Sequence, residues 1–125
     1  MAQAGYQRAL AFGLPPEADR LARRELAQLA RRQGDYARAN ALWENLLGDS
    51  SDGIYAYEQL AIHYEHRERD PQRALTLVRE ALVRLREGNL AGRIAAEQHQ
   101  RWHAAFRHRL SRLEARIRRE PPSAE

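Results

Sequence analysis

Two amino acids are missing from this chain of 125 residues. It has no cysteine, which excludes disulfides, thiolate chemistry and cysteine-based zinc sites. It has no lysine either, so all 21 basic residues are arginine. With the wealth of Ala and Leu, that reads as the coding bias of a GC-rich genome rather than as a phosphate-binding device. No apolar run approaches the roughly 20 residues that span a bilayer. Residues 1–16 lack the basic segment and apolar core of a secretion signal, so the expected setting is cytoplasmic, with no membrane partner. A glycine-rich phosphate loop, a nucleophile elbow and Ser–His–Asp logic are absent as well. No catalytic residue is assigned, no cofactor is expected, and the chain does not read as an enzyme.

What is present fits one soluble helical domain: 43% hydrophobic and 30% charged residues. The net charge of +4 is unevenly placed. Residues 1–90 hold 13 Arg against 13 acids, whereas residues 91–125 hold 8 Arg against 4 acids. Any basic-surface function therefore belongs to the last segment.

The chain can be laid over itself. Leu26-Ala27 returns as Leu60-Ala61, Ala39 as Ala74, Trp43 as Val78 and Leu46 as Ala81. A first repeat is expected over residues 16–47. Its leading helix carries Ala22, Leu26, Leu29 and Ala30 on one stripe. Gln33-Gly34-Asp35 makes the turn, with Asp35 as cap of the next helix. Tyr36, Ala39, Leu42, Trp43, Leu46 and Leu47 give that helix its buried face. After a polar linker with two glycines, residues 54–87 repeat the scheme. Tyr57, Leu60, Ala61 and Tyr64 lead, Asp70-Pro71 opens the second helix, and Gly88-Asn89 is expected to stop it. Ala27 to Ala39 is twelve steps but Ala61 to Ala74 is thirteen, which puts one extra residue in the turn around Arg67-Glu68-Arg69.

Residues 3–12, with Tyr6, Ala9 and Leu10 on one side, read as the second helix of an earlier, partial repeat ended by Gly13. That leaves an apolar N-terminal edge open to self-association. Residues 90–119 read as one long capping helix through Ile94, Trp102, Phe106, Leu110, Leu113 and Ile117, followed by a tail, residues 120–125.

Five histidines raise the question of a metal. His99 and His103 share a helical face, with His108 a little further on, but no third ligand suggests itself, so no metal site is assigned. His63 and His66 read as packing or capping groups. Glu65 with Arg69, and Glu80 with Arg84, read as surface ion pairs four residues apart. The aromatics fall on core stripes except Tyr55. The last helix offers a second functional reading, nucleic-acid contact through Arg101, Arg109, Arg112, Arg116 and Arg119.

At Leu26, Ala27, Gly34-Asp35-Tyr36, Ala39 and Trp43, then Leu60, Ala61, Tyr64 and Ala74, the chain resembles the tetratricopeptide repeat, whose period is about 34 residues. The resemblance covers roughly residues 20–85. It implies an all-α fold, a right-handed stack of antiparallel helical hairpins with a long C-terminal capping helix, acting as a protein-binding scaffold. Its groove positions would be Leu21, Arg24, Gln28, Arg31 and Arg32, then Tyr55, Glu58, Ile62, Glu65 and His66. The arginines suggest an acidic peptide or a terminal carboxylate as partner, although Gln28 and Glu58 depart from the carboxylate-clamp type. Gly13-Leu14-Pro15-Pro16-Glu17, Leu42-Trp43-Glu44, Tyr57-Glu58-Gln59-Leu60-Ala61, Tyr64-Glu65-His66-Arg67 and Asp70-Pro71 also resemble the helical tail of YprB-like exonucleases with a ribonuclease-H-like domain. None of that catalytic domain is in this sequence. The resemblance implies an accessory segment of a larger nuclease system, not the activity.

Overall fold

The computed structural model of the protein describes residues 16–48 and 53–120, the side chains of Pro16, Glu17 and Arg20 excepted. The expectations for residues 3–12 and their apolar edge, Gly13, linker residues 49–52 and tail residues 121–125 lie outside these. Among the described residues there are five α-helices and no strand: α1 (Pro16–Arg32), α2 (Tyr36–Leu46), α3 (Gly53–Ile62), α4 (Pro71–Leu90) and α5 (Ala96–Arg119). A π-helical turn, His63–Arg67, continues α3. No helix of the described residues is long and apolar enough to cross a membrane. The chain divides into two compact units, residues 1–56 and 57–125.

In the first unit, α1 and α2 form a hairpin. Gly34 takes the left-handed conformation (φ 80°). Its N–H donates to the Arg31 carbonyl, and that of Asp35 donates to the Ala30 carbonyl. This paired closure satisfies the last carbonyls of α1. Asp35 then accepts from the Arg38 N–H at 3.2 Å and so caps α2. Ala22, Leu26, Ala27 and Ala30 on α1 and Ala39, Trp43 and Leu46 on α2 are buried. Short side chains on both helices allow the close approach a tight hairpin needs.

In the second unit, Asp70 accepts from the Arg73 N–H at 3.0 Å, and Pro71 opens α4 where its missing N–H costs nothing. The extra residue is absorbed upstream of where the sequence suggested. The Asp35 N–H reaches back five residues to Ala30, whereas the Asp70 N–H reaches back six, to Tyr64, at 2.7 Å. The difference is taken up as the π turn, closed by the Glu68 N–H on the His63 carbonyl at 3.1 Å. Arg69 (φ 51°) occupies the left-handed place that Gly34 holds in the first hairpin.

The expected stop at Gly88-Asn89 is corrected, because α4 runs to Leu90 and Gly88 is buried inside it. The stop is Gly92 (φ 72°), where the Arg93 and Gly92 N–H groups donate to the Gly88 and Asn89 carbonyls. Gly88 instead makes room, since a Cβ there would lie 2.6 Å from Ile94 Cδ1. The last helix consequently begins at Ala96, not at residue 90. It runs antiparallel to α4, with Glu114 beside Arg79 near one end and His99 beside Leu90 at the other. Ala74, Leu77, Val78, Ala81 and Leu85 on α4 are buried, as are Phe106, Leu110 and Leu113 on α5.

The ten residues that carry the internal repeat, from Leu26 and Leu60 to Leu46 and Ala81, are each 2% exposed or less. Side-chain size at those places is therefore set by packing.

Candidate interaction surfaces

In the first unit, Arg24, Gln28 and Tyr55 are brought together. The Arg24 guanidinium lies 4.1 Å from the centre of the Tyr55 ring, a cation–π contact. Gln28 Nε2 donates to Tyr55 Oη at 3.2 Å, and the ring meets Trp43 edge-on at 5.3 Å. Tyr55 is thus a fixed post rather than a free stacking platform. Arg31 and Arg32 are exposed in the last turn of α1, where cations suit the negative helix end. Leu21, one turn before Arg24, is 55% exposed. This face combines apolar area with guanidinium groups.

The second unit holds a different arrangement. Glu65 was expected in an open groove and paired with Arg69; it is only 3% exposed and points at α5. Arg109 Nη1 donates to its Oε1 at 2.6 Å. Arg112 forks onto both oxygens, Nε to Oε2 at 3.0 Å and Nη2 to Oε1 at 2.8 Å. Arg116 donates to the Glu65 carbonyl at 3.3 Å and to Glu120 at 2.9 Å. Such charge-assisted, bidentate bonds are the strong kind. Burial drives the Glu65 carboxyl upward, but the bonds from Arg112 and Arg109 and their charges outweigh it, leaving it below the ordinary carboxylate value. Glu58 is half-buried without such forks. Desolvation raises it, and the more distant Arg109 charge only partly opposes this.

Two of the five arginines expected to meet phosphate, Arg109 and Arg112, therefore hold the buried Glu65 carboxylate, and a third, Arg116, is bonded to the Glu65 backbone carbonyl and to Glu120, while Arg101 and Arg119 remain exposed. Ile62 is half-buried and His66 exposed, its Nε2 3.5 Å from Glu65 Oε1. Arg84 is held above its ordinary value chiefly by a hydrogen bond with Tyr57, then by Glu87, with the expected partner Glu80 adding less. Among the described residues, no three histidine or acidic side chains gather as metal ligands. His99 and His103 stack at 5.7 Å beside Val83 and Leu90, on the rim of a groove between α4 and α5. The sequence reading raised those histidines only as metal ligands and assigned them no site. The available signal was Val83 and Leu90, apolar residues seven apart and off the stripe of Ala74, Val78, Ala81 and Leu85.

No protein-family model, curated protein or solved structure matches the chain.

Proposed function

We propose that the protein is a non-catalytic, helical-repeat interaction module of the tetratricopeptide kind, whose first hairpin receives an acidic segment of a partner protein. The observation that supports this best is the likeness of the two hairpin turns. Each places an aspartate cap behind a left-handed residue, and the small residues before and after each turn are buried. Among the positions assigned to the groove, Arg24 and Gln28 are organised around Tyr55, and Arg31 and Arg32 stand exposed beside them on α1. Guanidinium groups pair carboxylates through two parallel bonds, so an acidic peptide is the matching ligand. The resemblance to the YprB-like tail makes a nuclease domain the first partner to try.

The alternative, a phosphate-binding last helix, is weakened because Arg109, Arg112 and Arg116 already have carboxylate or carbonyl acceptors. The test is calorimetric titration of the full chain with hexaglutamate, with hexalysine as control. Arg31→Glu combined with Arg32→Glu should weaken hexaglutamate binding by about tenfold or more without loss of helicity. Undiminished binding by that variant would sink the reading.

A further inference from the structure

We propose that a groove on the second unit docks an acidic amphipathic helix of a partner protein. It lies between the C-terminal half of α4 and the N-terminal half of α5 and encloses about 460 Å³, room for more than one large apolar side chain. Leu82, Val83 and Leu90 give it an apolar floor, and Arg86, His99 and His103 stand around them. Val83 is 57% and Leu90 76% exposed. Neither belongs to the buried stripe of α4, so the core does not account for them.

The length and charge of the groove narrow the occupant. Val83 and Leu90 are seven residues apart, about 10 Å along the axis, which matches the reach of apolar anchors at i, i+4 and i+7 on an incoming helix. No carboxylate lines the groove. Arg86 is exposed and has no acidic partner among the described residues. The matching ligand is therefore apolar on one side and acidic on its flanks. The stacked imidazoles of His99 and His103 form one wall, with polar nitrogens for those flanking acids. This surface makes no use of Arg31 or Arg32, so it stands apart from the function proposed above.

The test uses the full chain and three fluorescein-labelled helical peptides, read by anisotropy. The first carries leucines at i, i+4 and i+7 between glutamates. The second replaces the glutamates by lysines, and the third replaces the leucines by alanines. The first should bind at least about tenfold more tightly than either other. Leu90→Asp and Val83→Asp should each lower that affinity about tenfold, with thermal melting unchanged because both side chains are already exposed. Arg86→Glu should shift the preference toward the lysine peptide, and every affinity is read in the Arg31→Glu, Arg32→Glu background, so that the first hairpin's arginines add nothing to the binding of glutamate peptides. No binding of the first peptide up to roughly 100 µM, equal binding of the lysine peptide, or indifference to Leu90→Asp would overturn the proposal. Self-association in the ultracentrifuge that Leu90→Asp abolishes would give the groove to a second copy of the chain, and would overturn it too.

Discussion

Glu65 is the side chain with most at stake. Taking a carboxylate out of water is costly, and only the forks from Arg109 and Arg112 offset it. Glu65→Gln should destabilise the protein by about 2 kcal/mol at pH 7, less than a fully buried pair because Arg112 keeps much of its hydration. The pH dependence has a definite sign. The folded carboxyl sits below its ordinary value of 4.5, so its contribution is complete above that pH and lost as pH falls through the folded value. Urea titrations of the two proteins should therefore differ at pH 7 and converge as pH drops below 4.5. Glu58 runs the other way. Its folded carboxyl is raised, so its charge opposes folding at neutral pH, and the penalty is relieved as pH falls through the raised value. Glu58→Gln should leave the protein at least as stable as the parent at pH 7, and a clear loss there would contradict that account.

The turns of the two hairpins make a natural pair of experiments on helix ends. Gly34→Ala forces a Cβ into a left-handed position and should cost about 1 kcal/mol. Arg69→Gly relieves the same conformation in the second hairpin and should add about 0.5–1 kcal/mol, net of the greater freedom of glycine in the unfolded chain. Thermal melts of the two variants should move in opposite directions. These turns also show what could be read in the sequence. Asp35, Asp70 and Pro71 announce helix starts through local chemistry, and the buried stripes follow from spacing alone. The extra residue of the second hairpin was countable, but its place was not, because exposed loop and widened helix accommodate one residue equally well in a linear pattern. Gly88 misled for a similar reason. Its lack of a side chain serves the return of Ile94 across the helix, a contact that no local rule encodes.

Across the whole molecule, the surplus of arginine overstates how basic the surface is. The net charge of +4 lies in the last 35 residues, yet Arg109 and Arg112 are turned onto Glu65 and Arg79 meets Glu114 across the α4–α5 pair. Oligonucleotide binding measured against salt should show a shallow slope, about one phosphate's worth or less. Arg101→Glu with Arg119→Glu, both exposed, should not alter it; a steep slope abolished by that pair would restore the nucleic-acid reading. Arg112→Glu is the wrong probe, since it would set a second carboxylate against Glu65 and unfold what it was meant to interrogate.

The two indoles fall one to each unit. Trp43 is 2% exposed, and Trp102 is half-buried and stacked on Phe106 at 5.7 Å. The protein is thus built with a separate lamp in each of its halves. Trp43→Phe leaves indole emission from residues 57–125 alone, and Trp102→Phe leaves it from residues 1–56 alone, so with excitation that spares the tyrosines the dismantling of either half can be watched by colour without attaching a dye.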